Sequence, residues 1–403
     1  MRPPARQRSC RGVHATPLAS PWVAPTDTWT LWAVLLSASA FGISQERTRV
    51  GAALSAPVVT TLTGLLLSNL GVIPNAAPAY DVVNGFLLPF SVPLLLFGAD
   101  LRRVVRDTGR LLIAFLIGAA AVVAGTLLAL WLFPQPHLGD GSWKMAAALC
   151  SRHIGGAVNY VACCSFLQVP ASLVAAGLAA DNLVCAVYFS VLFALAPATP
   201  AATGAGDSVL TPAGDGEVSS VGVAPLAYAA ATSACICAFG VACARAMHVT
   251  GADIPVITAL VVLMATLFPR LLAPLAPAGE GLAKILLQTF FAVVGASGSV
   301  RGVLATAPAL FLVSALQVAV HLGITLWVGG RLGFSRPELL IASNANVGGP
   351  TTAAGMATAK GWRPLLVPAI LLGVLGYATA TFTSIALGLH VLAPLWRART
   401  GLP

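Results

Sequence analysis

Residues 111–133, LLIAFLIGAAAVVAGTLLALWLF, contain no charged side chain, and they continue for roughly six helical turns at 3.6 residues per turn. In hydrocarbon every backbone polar group must be satisfied within the chain, and about 20 apolar residues suffice to cross as a helix. Such runs recur at 29–44, 51–73, 85–101, 109–133, 143–166, 171–197, 224–246, 254–274, 282–300, 306–330, 338–359 and 364–393. Charged residues make up 9% of the chain and its mean hydropathy is +0.88, whereas a soluble domain carries about 25% charge. The expectation is an all-α, multi-pass integral membrane protein of about 10–12 transmembrane helices, with the lipid bilayer as its first partner.

The net charge of +9 does not point to nucleic acid, because the basic residues stand at span ends and in short loops. The spans put Arg47, Arg49, Arg245, Arg301, Lys360 and Arg363 on the side of Arg102, Arg103, Arg106 and Arg110, which fits the positive-inside rule. The stretch 198–223, rich in Gly, Pro and Ser and carrying only acidic charges, reads as a flexible linker on the opposite face. It separates a first membrane repeat (29–197) from a second (224–393), and a short tail (394–403) follows. Residues 1–28 form a basic tail with Arg2, Arg6, Arg8 and Arg11 and no acid before Asp27. That composition suits either a transit peptide to a plastid or other organelle, or a disordered tail at a plasma membrane surface.

The repeat is visible in its polar interruptions. CSRHIGGAVNYVA (150–162) superimposes on SNANVGGPTTAAG (343–355) at a constant offset of 193 residues. Ser151 falls on Asn344, His153 on Asn346, Gly155 and Gly156 on Gly348 and Gly349, and Asn159 on Thr352. FGADLRR (97–103) likewise falls near ASGSVRG (296–302). Gly-Gly and Pro350 make an unbroken helix improbable. At membrane depth, freed backbone groups survive only inside protein or beside a watery cavity, and paired broken helices mark transport sites. Thr351 and Thr352 add oxygens. The plain alternative is that these small residues only permit tight helix packing.

Asp181 lies mid-span with Asn182 beside it. An intramembrane carboxylate costs several kcal/mol unless paired or solvated, so it reads as a site for a transient sodium ion or a proton, or as a buried partner of Arg152 or His153. Arg152 suits an anion clamp or snorkels to the interface, and His153 titrates or caps a helix. Asp100 reads as an interfacial ion pair with Arg102 and Arg103. Gln317 and His321, a turn apart, read as helix-to-helix bonds ahead of substrate contacts. The cysteines read as small hydrophobes, with no metal and no cofactor expected. The chain has neither a Gly-x-x-x-x-Gly-Lys-Ser/Thr loop nor a Gly-x-Ser-x-Gly elbow, so it is not read as an enzyme.

SRHIGGAVNYVA, LAADNLVCAVYF, LLIASNANVGGPTTAAGMATAKGW and PAILLGVLGYATATF together resemble the domain-of-unknown-function 819 family of membrane proteins. That family is grouped distantly with cation:proton antiporters and sodium:bile acid symporters. The resemblance implies an inverted repeat, a panel domain and a core in which two broken helices cross. Antiporters of that group carry an acidic pair or Asn-Asp on the following helix, where this chain has Asp181-Asn182. An inverted repeat needs its equivalent breaks to lie an odd number of spans apart, yet the spans above put them six apart. Either one segment, with 224–246 the suspect, is miscounted, or the likeness to that wider group misleads.

Taken together, these features point to an ion-coupled secondary transporter, coupled to Na+ or H+ and carrying a small organic anion. Its site would comprise Ser151, Arg152, His153, Gly155, Gly156, Asn159, Asp181, Asn182, Asn344, Asn346, Gly348, Gly349, Thr351 and Thr352. The alternatives are a cation:proton antiporter using Asp181 and a non-transporting scaffold. Panel spans 51–73 and 254–274 offer a homodimer surface.

Overall fold

The structure, a computed structural model, describes residues 21–45, 48, 56–196, 222–249, 251–298 and 300–401. Most of the basic tail, Arg47, Arg49 and nearly all of the linker lie outside the described residues. Among the described residues there is helix and no strand. The helices are α1 (Thr28–Gln45), α2 (Ala56–Asn69), α3 (Pro78–Leu96), α4 (Leu101–Thr108), α5 (Leu111–Leu132), α6 (Gly141–Phe166) and α7 (Ala171–Leu195) in the first half. The second half holds α8 (Val223–Ala246), α9 (Asp253–Leu267), α10 (Pro269–Ala296), α11 (Val300–Arg331), α12 (Arg336–Val347), α13 (Pro350–Ala359) and α14 (Arg363–Thr400). Seven of these are long and apolar enough to cross a membrane, and α2 and α9 are shorter apolar helices. The chain is an all-α, multi-pass membrane protein.

α4 shows how local sequence sets an element. Asp100 accepts hydrogen bonds from the backbone N–H groups of Arg102 and Arg103 and so caps the helix. Val104 and Thr108 turn inward while the arginines stay exposed. Asp100 is therefore a cap rather than the ion-pair partner expected of it. The pairs here join Asp107 to Arg103 (3.4 Å) and Arg106 (2.8 Å), and the Arg106 hydrogen bond holds the Asp107 carboxyl below its ordinary range.

Helix directions follow from contacts. Arg110 Nη2 donates to Gly333 O (2.9 Å), His321 lies 2.9 Å from Gly118 O, and Gln135 Nε2 donates to Ala309 O (3.2 Å). Along α5 the numbers rise while along α11 they fall, so these helices, equivalent in the repeat, are antiparallel. The repeat is inverted.

The miscounted elements are the two broken helices, because neither crosses. Asn344 Nδ2 lies 3.4 Å from Met356 Sδ and Thr352 Oγ1 donates to Asn344 Oδ1 (2.7 Å). Twelve residues of straight helix would hold the first pair about 18 Å apart, so α12 and α13 double back. In α6, Met145 and Tyr160 both reach Gly177, and a Cβ on Gly141 would lie 2.9 Å from Leu173. Both ends of α6 thus sit beside the start of α7, and α6 is a second hairpin. The hairpins enter from opposite faces, and α8 (the suspect segment 224–246) does cross. Counting the shorter α1, α2 and α9 with the seven long apolar helices, each half has, among the described residues, five crossings and one hairpin.

Call the side of α4 the arginine face. Arg331, Arg336, Lys360 and Arg363 lie on it with Arg102–Arg110, while Arg245, at the end of α8, and the start of α11 lie on the opposite face. The side expected for Arg245 and Arg301 is corrected accordingly. The ends that the linker joins, Leu195 and Val223, also lie on the arginine face; Lys360 Nζ donates to Phe193 O there. α1–α3 pack with α8–α10 as one group, and α5, α7, α11, α14 and the hairpins form the other.

Candidate functional site

Each hairpin turns at a glycine. Gly156 has φ 79°, ψ −174° and Gly349 has φ 81°, ψ −168°, a region essentially confined to glycine. Pro350 then opens α13, where its missing N–H leaves nothing unsatisfied. The residue three beyond each turning glycine ties the tip. Asn159 donates to Gly155 O (2.6 Å) and accepts from Thr381 Oγ1 (2.6 Å), and its repeat counterpart Thr352 binds Asn344. Tyr377 of α14 stands between the tips, its ring 3.2 Å from where a Cβ on Gly156 would lie and 2.9 Å from one on Gly349. Gly373 and Gly376 of α14 let Pro350 and Ile154 press against its backbone, the close approach that small residues permit in membranes.

Beside these tips lies a buried charge cluster. Asp181 is 1% exposed. Its Oδ1 lies 2.6 Å from His153 Nε2 and accepts from Ser314 Oγ at 2.7 Å. Its Oδ2 lies 3.0 Å from Arg152 Nε and 3.5 Å from Cys185 Sγ. Arg152 Nη1 also donates to Val347 O (3.4 Å), the last residue of α12. With its side chain 11% exposed, Arg152 does not snorkel; it joins the first hairpin to α7 and to the tip of the second. Asp181 is the buried partner of both Arg152 and His153.

The other expected site residues divide. Asn344 is used within its hairpin. Asn346, with its carboxamide turned to satisfy both ends, donates to Ala342 O and Phe115 O (3.3 Å each) and anchors α12 to α5. Gly348 meets Thr352, Asn344 and Phe189. Thr351 is exposed on the first turn of α13, outside the Asp181 cluster. Ser151 Oγ, Asn182 Nδ2, His153 Nδ1 and Gln317 Oε1 are buried without a hydrogen-bond partner. Such atoms cost about 1–3 kcal/mol each unless water or a ligand meets them.

His153, Asp181 and Cys185 bring one potential ligand atom each within 4.8 Å of one another. The Arg152 guanidinium already fills the cationic place there, and Asp181 is surrounded by donors. A sodium ion at Asp181 would have to displace one of them.

Sequence reading missed Ser314 and Tyr377. Ser314 belongs to a stripe with Gln317, His321 and Thr325, all 0% exposed, at spacings of three and four residues that put them on one face of α11. That spacing was the available signal. Tyr377 had none, since nothing local marks an aromatic that meets two distant glycines.

Two spaces approach the tips. A crevice between the two groups of helices is lined by Leu96, Val158, Asn159, Thr258, Tyr377 and Thr381. A cavity of about 470 Å³ lies nearer the face opposite the arginines, lined by Asn84, Cys164, Gln168 and Phe290 among others.

Comparison with known proteins agrees with the motifs that the hairpins and α7 carry. Residues 33–393 match the family described as protein of unknown function (DUF819). The uncharacterized membrane protein YjcL of Bacillus subtilis (strain 168) is 29% identical over 390 residues, spanning 91% of this chain and 97% of that protein. With inverted halves, two hairpins and a family match over nearly its whole length, the chain belongs to the DUF819 family of membrane proteins.

Proposed function

We propose that this protein is an ion-coupled secondary transporter of a small organic anion. The observation that carries the reading is the meeting of two hairpins from opposite faces at the buried Arg152–Asp181–His153 cluster. A site that must open alternately to two faces is well served by half-membrane hairpins, since each closes one approach with few residues. Arg152 is the anion anchor: its guanidinium presents a planar fork suited to a carboxylate. A substrate carboxylate would take the place of Asp181 on it, and the unpartnered Ser151 and Asn182 groups offer further hydrogen bonds. The cavity beside Gln168 offers an approach toward the first hairpin from the face opposite the arginines.

The test is thermal unfolding of purified protein against a panel of mono-, di- and tricarboxylates, followed by uptake of any stabilising carboxylate into proteoliposomes. A ligand of the folded state raises apparent stability by mass action, about 2.7 kcal/mol at a hundred times its Kd. At least one carboxylate should do so in wild type and not in Arg152→Lys. If none stabilises the protein or is taken up, the anion reading fails, and proton–cation exchange at Asp181 becomes the reading to test.

A further inference from the structure

His321 sits apart from the charge cluster, 0% exposed, on the polar stripe of α11. Its Nδ1 lies 2.9 Å from Gly118 O of α5 and its Nε2 2.8 Å from Ser343 Oγ of α12. Ser343 Oγ in turn lies 2.6 Å from Tyr188 Oη of α7. A backbone carbonyl only accepts, so Nδ1 carries a hydrogen. In the neutral ring Nε2 is then bare and accepts from the Ser343 hydroxyl, and Ser343 accepts from Tyr188. Every group is satisfied in that one arrangement.

A proton added to Nε2 makes it a donor. Ser343 must then turn its O–H toward Tyr188 Oη, and the Tyr188 hydrogen must point elsewhere. The chain reverses direction, and it links four elements, including the second hairpin and the helix that carries Asp181. One turn to either side along α11, Gln317 Oε1 and Thr325 Oγ1 are buried without partners, and polar sites of that kind hold water. Water meeting those two atoms would give protons an approach along the stripe.

We propose that His321 is the proton-binding site of this core, so that the coupled ion is H+ and is carried on the imidazole and not on Asp181. The titratable groups facing it are Tyr188 from α7 and, farther off, His153 from α6. From α5 and α12 its neighbours are the uncharged Gly118, Ser343 and Asn346. Resting on the anion reading above, the proposal also fixes the sense of coupling. A buried imidazolium and a buried anion stabilise each other, and by linkage each raises the other's affinity by the same factor. That is symport.

The test is nitrogen NMR of the full chain labelled with [15N]histidine, in lipid nanodiscs. The His321 signals are identified by their loss in His321→Asn. They are identified independently by their displacement in Tyr188→Phe, which keeps the ring should the first variant not fold. The expected result is an Nδ1–H tautomer at about pH 8 that becomes doubly protonated on lowering the pH toward about 5, the range in which imidazoles titrate. Tyr188→Phe should move the midpoint. An Nε2–H tautomer, a ring that stays singly protonated throughout, or a midpoint indifferent to Tyr188→Phe overturns the proposal. Carboxylate uptake that persists without this titration sinks only the role of His321, and titration without uptake sinks only the transport reading.

Discussion

Asp181 stands where four donors converge, and its chemistry is best judged by what its removal leaves behind. In Asp181→Asn the side chain keeps its size, yet Arg152 loses its counter-charge where its side chain is only 11% exposed. Breaking a buried pair from one side typically costs about 3–5 kcal/mol, most of it the stranded charge. Thermal unfolding of Asp181→Asn should therefore show a large loss of stability. The double variant Asp181→Asn/Arg152→Gln, with no stranded charge, should recover much of it. A single variant as stable as wild type would mean that Arg152 is solvated, contrary to its position. The residues of this cluster were legible in the sequence because an acid, an arginine and a histidine inside apolar spans need each other. Ser314 was not, since a serine in a span is unremarkable until its helix face is known.

The turning glycines decide the shape of the hairpins. Gly349→Ala imposes the strain of a side chain at φ 81°, of order 1–3 kcal/mol for such regions, and drives a methyl into the Tyr377 ring. Gly355→Ala lies on the same limb with nothing within 4 Å of the new Cβ, and glycine to alanine inside a helix gains about 0.5–1 kcal/mol. Unfolding midpoints should thus move in opposite directions for these two variants. Adding Tyr377→Ala to Gly349→Ala should return only the steric part of the loss, and full recovery would show that backbone strain is absent. The sequence disclosed the breaks through Gly-Gly and Pro350 but not their angle. A 26-residue helix is long enough for one full crossing, and composition does not distinguish that from two limbs entering halfway and returning. Only contacts between residues such as Asn344 and Met356, distant along the chain, separate the two.

At the scale of the whole molecule, that single difference changes the topology. Two crossing broken helices would leave the halves parallel. Two hairpins leave five crossings in each half, an odd number, which inverts the second half against the first and moves Arg245 to the other face. The charge tally that favoured the crossing count was thus consistent with the wrong number of spans. Cysteine labelling checks it directly, in a background in which the eight native cysteines are replaced. His137 and Ala171 flank the first hairpin and are exposed, as are Arg336 and Arg363 around the second. His137→Cys and Ala171→Cys should react with a membrane-impermeant maleimide from one side of the membrane, and Arg336→Cys and Arg363→Cys only from the other. The arginine face carries Arg102, Arg103, Arg106, Arg110, Arg331, Arg336, Lys360 and Arg363, so the positive-inside rule makes it cytoplasmic or its organellar equivalent. In intact cells of a bacterial host the first pair should therefore label and the second should not until the membrane is opened. If the members of either pair label from opposite sides, that hairpin crosses, the halves are not inverted, and the meeting of two tips at Arg152 loses its geometric basis.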